Sequence, residues 1–457
     1  MKRPNGSDTV AWVCAIALIV VGCNQRLSWQ LPLGAREAPY LAWADLVVAL
    51  GFAVWLLVRL LRRDLRGAAM PPAALWAVAA IAGLSVFQAL DLMRPVGELL
   101  ETNKRAVVNA AKETMQIGLY FVAAYMLLAN GLREARAAQL ALYAFVVVTA
   151  VNVLYGLYTY VQPVALSAER IAELQQWLVY GGQPDGIRAA VDPIGVGSLL
   201  SNMYVYGGFL AIALPLLFGL ALHERRPWAQ AGLGIIIAIG VVTCLSGWHL
   251  LLLVAGCIVV AARHSRTAFA AAALGAVVVL GLLPLLLPSN AAAIGEDVLV
   301  YREAADERDI KQRWIKWSAS VDMLADPNNP RFLLGVGAGS YQAHVGGFYG
   351  LAPQREDTRP PDTDSRYLVT ASSMGFLGLC ALVGAMIYFV RCAFRGDGRL
   401  SAAIHPGLAA GLCGSLVAIA GANLIGDTFV RGLYVPVFLV FALAAVVACD
   451  AHHSTGE

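Results

Sequence analysis

What most constrains this chain of 457 residues is a recurrence: apolar runs of membrane-crossing length return from one end to the other. They fall near 9–24, 41–61, 71–92, 107–129, 138–161, 201–222, 230–246, 249–262, 267–287, 370–390, 402–424 and 433–449. A hydrocarbon core about 30 Å thick needs roughly 20 such residues in a helix. Inside lipid each backbone N–H must find its acceptor within the segment, which a helix achieves. Barrel strands would alternate over about ten residues, and these runs do not. The expected fold is therefore all-α: an integral membrane protein with twelve transmembrane helices, one for each run above. Composition agrees, since only 14% of residues are charged and 59% are hydrophobic, which excludes a disordered chain, a coiled coil and an ordinary water-soluble enzyme. The first run is followed by Val21-Gly22-Cys23-Asn24-Gln25 rather than a small-residue cleavage site, so it is read as retained.

The scarce charges set an orientation. With the N-terminus cytoplasmic, the inner connectors carry fifteen basic residues: Lys2, Arg3, Arg59, Arg62, Arg63, Arg66, Arg133, Arg136, Arg225, Arg226, Arg263, Arg266, Arg391, Arg395 and Arg399. The short outer connectors carry six: Arg26, Arg36, Arg94, Lys104, Arg105 and Arg431. The positive-inside bias then puts both termini in the cytoplasm. The chain divides into residues 1–287, nine helices with an outer loop at 162–200; residues 288–369, a long outer loop; and residues 370–457, three helices and an inner tail. A net charge of +3 asks for no nucleic acid; the lipid bilayer is the expected surrounding. All eight cysteines sit in or beside the runs, none in the long loop, so neither a disulfide framework nor a metal site is expected.

A connection of that length is normally functional or disordered, and this one has periodicity. Across Asp309 to Asp326, residues Ile310, Trp314, Trp317, Val321 and Leu324 recur at helical spacing. The helix they predict would lie on the outer membrane surface or over the bundle. The glycine run Gly335-Val336-Gly337-Ala338-Gly339-Ser340-Tyr341 lacks the GxGxxG spacing of a dinucleotide loop. It reads as a tight turn returning the chain to the bilayer, or as bare backbone that a headgroup or sugar approaches. Arg188 precedes the sixth run and Arg313 opens the RxxxW segment. A guanidinium fork matches phosphate oxygens, and a pair of them in the two sizeable outer loops suits a pyrophosphate. A single arginine more often pairs with a loop acid or a lipid phosphate.

The order Arg313-Trp314-Ile315-Lys316-Trp317, Met323, Pro330, the glycine run, Tyr367-Leu368 and Met374-Gly375-Phe376-Leu377-Gly378-Leu379 resembles the O-antigen ligase and polymerase superfamily. Arg188 to Pro215, with Asn202, is similar to that family's preceding block, so the resemblance spans roughly residues 180–380. It implies a GT-C-like glycosyltransferase of the bacterial inner membrane with a periplasmic active site. Such an enzyme passes a glycan from undecaprenyl pyrophosphate to an acceptor hydroxyl, on another glycan or on lipid A–core. No metal or cofactor is implied, because arginines stabilise the leaving pyrophosphate. Arg188 and Arg313 match the family's pyrophosphate-binding arginines, with Trp317, Gly335, Gly337, Gly339 and Tyr341 in support.

Two positions depart from the family. Asp364-Ser365 stands where the ligases carry His-Asn. Asp364 is a candidate general base or the N-cap of the helix entering the tenth run, and His344 is the second candidate base. Ser246-Gly247-Trp248-His249 replaces a Ser-Arg pair, so His249 either supplies that charge or leaves the contact missing. The absent histidine favours a polysaccharide polymerase over a ligase, and leaves open a member that has lost catalysis. A multispan transporter or flippase is the reading from another class; it expects broken helices, internal repeats and polar residues deep in spans. Asp45, Asp91, Lys112 and Glu113 read as span-end charges, and Asp427 with Arg431 as an i,i+4 brace before the last run.

Overall fold

A computed structural model describes residues 6–23, 28–30, 40–65, 67–90, 110–161, 200, 203–244, 247–282, 313–325, 332–345, 348, 363–396, 398–429 and 432–454. Among the described residues the regular structure is helical apart from a small antiparallel ribbon, β1 (Ser28–Gln30) with β2 (Tyr40–Ala42), between the first two helices. The helices are α1 (Gly6–Gly22), α2 (Trp43–Leu61), α3 (Ala73–Leu90), α4 (110–131), α5 (Ala135–Val161), α6 (Met203–His223), α7 (Pro227–Thr243), α8 (Gly247–His264) and α9 (Arg266–Leu282). After the long connection come α10 (313–325), α11 (Tyr341–Val345), α12 (Arg366–Arg395), α13 (Arg399–Ile404), α14 (Leu408–Ile425) and α15 (Tyr434–Ser454).

Each apolar run of the sequence contains one of these helices. By length and composition, five are able to cross a membrane: α2, α5, α6, α12 and α14. Shorter apolar helices lie in α1, α3, α7, α8, α9 and α15. The core is the face where α6, α14 and α15 are buried along most of their length. The periphery is apolar too: α2 exposes Leu50, Val54, Leu57 and Leu61, and α9 exposes Leu274 and Val277. A helix apolar on its outer side is at home in lipid and not in water.

Without a hydrophobic force between helices in lipid, close backbone approach must supply the packing. At the contact of α8 with α14, a Cβ on Gly414 would stand 2.6 Å from the Gly256 carbonyl oxygen. Ser415 adds a hydrogen bond from its hydroxyl to the Ile212 carbonyl of α6, 2.7 Å away. A second seam is aromatic: Phe389 of α12 stacks on Phe441 of α15 with centroids 4.2 Å apart, and Phe121 of α4 meets Phe438 edge-on at 5.0 Å.

The two ends of the bundle differ. At one end buried Arg59 closes α2 onto Asp8 of α1 at 2.5 Å and Asp64 at 2.9 Å. Asn130 holds the Ala69 amide and carbonyl there, and Arg133 donates to the Gly67 carbonyl. His223 and His264 hydrogen-bond at 3.3 Å on the turns that end α6 and α8. These connectors are the ones rich in arginine. The other end carries the lid helix α10 and the glycine turn.

Candidate functional site

At that second end α12 is two helices joined across a break. Gly375 has φ 70° and ψ −174°, a conformation that side chains with a Cβ do not hold inside a helix. The backbone groups freed by the break are taken up by the glycine turn. The Val336 and Gly337 amides donate to the Ser372 and Ser373 carbonyls at 3.0 and 2.8 Å. In return the Phe376 and Leu377 amides donate to the Phe332 and Leu333 carbonyls at 2.9 and 3.3 Å. Gly335, at φ 69°, lies directly on the Ser373–Gly375 backbone, where a side chain would collide. Gly337 and Gly339 also have positive φ. The glycine run is thus a turn docked onto α12, and the bare backbone at Gly335 is spent on protein backbone rather than left open to a headgroup.

The lid helix docks above this turn. It buries Lys316, Ala319, Ser320 and Met323, and turns Trp314, Ile315 and Val321 outward. The apolar stripe divides between the two faces, with Trp317 half-buried and Trp314 exposed. The reason is polar anchoring. Lys316 pairs with Asp364 at 2.5 Å, Trp317 Nε1 donates to the Thr363 carbonyl at 3.0 Å, and the Ser320 hydroxyl lies 2.7 Å from Tyr341 OH. Arg313 donates to the Ile425 carbonyl at the end of α14.

The structure brings several of the singled-out residues to one place. Arg313, Trp317 and Asp364 meet at the ends of α12 and α14, and His249 lies within electrostatic reach of Arg313. The His249 ring rests against Gly207, whose Cβ would stand 3.1 Å from His249 Cβ. Asp364 is not the N-cap: it sits at φ 55°, and Ser365 holds the cap position without a side-chain hydrogen bond. Tyr341 braces the lid through Ser320. His344 lies on α11 with Nδ1 3.1 Å from the Ser340 carbonyl. Arg188, Asn202, Ile310, Pro330, Asp91 and Arg431 lie outside the described residues.

One residue the sequence reading passed over occupies the centre. Arg366, the first residue of α12, is buried and pairs with Glu113 of α4 at 3.1 Å and Asp427 at 3.2 Å. Its guanidinium also lies over the Phe429 ring, 5.8 Å from the centroid. Asp427 thus belongs to Arg366, and its second oxygen accepts from the Phe429 amide at 2.7 Å. The expected partner of Asp427, Arg431, lies outside the described residues. Nearby, Asp45 caps α2 through the Ala42 amide at 3.0 Å and accepts from Tyr120 OH at 2.7 Å. Tyr120 in turn stacks on Tyr434 at 4.2 Å. It lies in a π-helical stretch of α4, Leu119–Ala124, a distortion often found beside functional sites.

Of the cationic groups here, Lys316 pairs with Asp364 and Arg366 with Glu113 and Asp427, while Arg313 donates to a backbone carbonyl. No group of three or more His, Cys, Asp or Glu residues suited to a metal occurs among the described residues. The sequence matches no protein-family model and no curated protein sequence.

Proposed function

We propose that the protein is an inner-membrane glycosyltransferase of the O-antigen ligase and polymerase type, working on a saccharide carried by undecaprenyl pyrophosphate. Twelve crossings, both termini in the cytoplasm and a periplasmic site complete this reading. It is supported by one observation above the others. Arg313 at the start of the lid helix, Asp364 paired with that helix through Lys316, and His249 within electrostatic reach of Arg313 gather at the bundle end away from the arginine-rich connectors. The pyrophosphate would be held by Arg313 and Arg188. The acceptor hydroxyl would attack the anomeric carbon as the C1–O bond to pyrophosphate breaks, inverting the centre. Its proton would pass to Asp364, once that carboxylate leaves Lys316. The pyrophosphate would depart as undecaprenyl pyrophosphate, its charge met by guanidinium donors in a site shielded from water. No metal enters this scheme.

The position of Asp364 in place of a histidine favours a polysaccharide polymerase, with ligation to lipid A–core as the alternative within the same chemistry. Purified protein incubated with lipid-linked repeat should lengthen it, and Arg313→Ala and Asp364→Ala should each slow turnover by about 100-fold or more. Transfer only when lipid A–core is added would identify the ligase. No transfer with either acceptor would sink the glycosyltransferase reading. The break in α12 favours a second reading, a transporter or flippase, since discontinuous helices are a transporter feature. Its signature would be movement of lipid-linked saccharide across proteoliposomes without any change in glycan length.

A further inference from the structure

Three donors on the inner face of the lid helix reach down to the bundle. Arg313 donates to the Ile425 carbonyl, Lys316 to Asp364 Oδ2 at 2.5 Å and Trp317 Nε1 to the Thr363 carbonyl at 3.0 Å. Residues three and four apart share one face of a helix, so the two cations stand about one turn apart on the same side. Their acceptors differ in charge: two are neutral carbonyls and the third is a carboxylate.

The Lys316–Asp364 pair is asymmetric. The lysine side chain is 11% exposed and the aspartate side chain 28%. A buried ammonium needs a countercharge, because opening the pair leaves it bare out of water. The aspartate is fixed by its turn. Its backbone holds φ 55°, and across it the Thr363 hydroxyl donates to the Ser365 carbonyl at 2.9 Å and accepts from the Ser365 amide at 3.0 Å. The lysine reaches it on a flexible four-carbon stem with three rotatable donors. Lys316 is therefore the partner that can move, and its move must end at another anion. In the chemistry proposed above, Asp364 takes the proton of the acceptor hydroxyl, and an oxygen bonded to an ammonium is not free to take it. A neutral acceptor sugar cannot draw the lysine off. A pyrophosphate can: it carries more charge than a carboxylate and offers oxygens to both cations of the lid face.

We propose that Lys316 is a further binding residue for the pyrophosphate, and that it couples donor binding to release of the base. In the empty site it holds Asp364. When the lipid-linked donor enters, its ammonium passes to a pyrophosphate oxygen beside Arg313, and the carboxylate is freed. Lys316 keeps its proton throughout, so the proton that Asp364 takes comes from the acceptor hydroxyl alone. The inference rests on the glycosyltransferase reading and adds to it an order of events: donor first, acceptor second.

The full-length protein in detergent is treated with a large excess of water-soluble carbodiimide, which joins a lysine to a carboxylate where the two touch. The Lys316–Asp364 amide is then quantified by mass spectrometry of peptides. Undecaprenyl pyrophosphate without glycan is the probe, its binding read separately as a rise in Tm. At about ten times its Kd the probe lowers the yield of this amide about tenfold. Lys316→Met raises KM for the lipid-linked saccharide about tenfold or more. It leaves KM for the acceptor unchanged, a split that a mere brace for the lid would not produce. No amide in the ligand-free protein, or a yield unchanged while the probe binds, overturns the proposal and leaves the glycosyltransferase reading standing. A donor KM equal to that of the wild type overturns it as well. A probe that does not bind at all overturns both. If Lys316→Met fails to fold, the cross-link in the wild-type protein decides alone.

Discussion

Arg366 is a single arginine that the hydropathy pattern hides. It lies at the start of an apolar run, two residues after Asp364, and charge counting assigns it to a long loop that escapes the topology rule. In the fold it is buried between Glu113 and Asp427, with the Phe429 ring against its guanidinium. Both partners come from other elements, so no local spacing announces them. By contrast Arg313, Trp317 and Asp364 were legible because each belongs to a motif whose order along the chain can be read directly. Removing the arginine leaves two carboxylates without their counter-charge, while replacing the whole cluster with neutral groups costs less. Arg366→Met is expected to destabilise the protein by about 3 kcal/mol. Adding Glu113→Gln and Asp427→Asn to it should restore a substantial part. Thermal unfolding monitored by size-exclusion of the detergent-solubilised protein checks both, and a triple variant no better than the single one would deny the pairing.

At the scale of elements, the apolar runs located the helices closely, as in the run at 41–61 and the helix Trp43–Leu61. They failed where polar contacts decide. The run at 370–390 begins earlier, at Arg366, because a buried ion pair lets a charged residue open the helix. The run at 402–424 divides into α13 and α14 at His405, which is extended. Polar contacts also set the inward face of α10: Lys316 and Trp317 are drawn inward by Asp364 and Thr363, leaving Trp314 outside. Glycine spacing shows that a turn follows α10, and nothing in it shows that this turn pairs with the backbone groups freed by the break in α12. Gly375→Ala tests that pairing. The new Cβ would meet the Leu333 carbonyl and hold a backbone conformation reserved for glycine. A loss of about 3 kcal/mol or failure to fold is expected, whereas Gly384→Ala, in the open second half of α12, should change little. Equal stabilities of the two variants, measured by thermal unfolding, would contradict the break.

For the whole molecule, the charge pattern and the fold group the same connectors at one end. Charge counting put fifteen basic residues on inner connectors. The fold gathers several of those connectors at one end through Arg59–Asp8, Arg133–Gly67 and His223–His264 contacts, and places α10 at the other. Neither argument uses the other, and the glycosyltransferase proposal needs both, because a lipid-linked donor must meet the lid from the periplasmic side. The decisive comparison is between Trp314 on the outer face of α10 and Arg225 in the α6–α7 connector, both exposed. With the eight native cysteines replaced, Trp314→Cys should react with a membrane-impermeant maleimide on intact spheroplasts. Arg225→Cys should react only after the membrane is opened. The opposite pattern would invert the orientation and place the site in the cytoplasm, where a polyprenyl-linked transfer of this kind would lose its rationale. Labelling of both from outside would mean that an even number of crossings, not the three of α7, α8 and α9, separates the two residues.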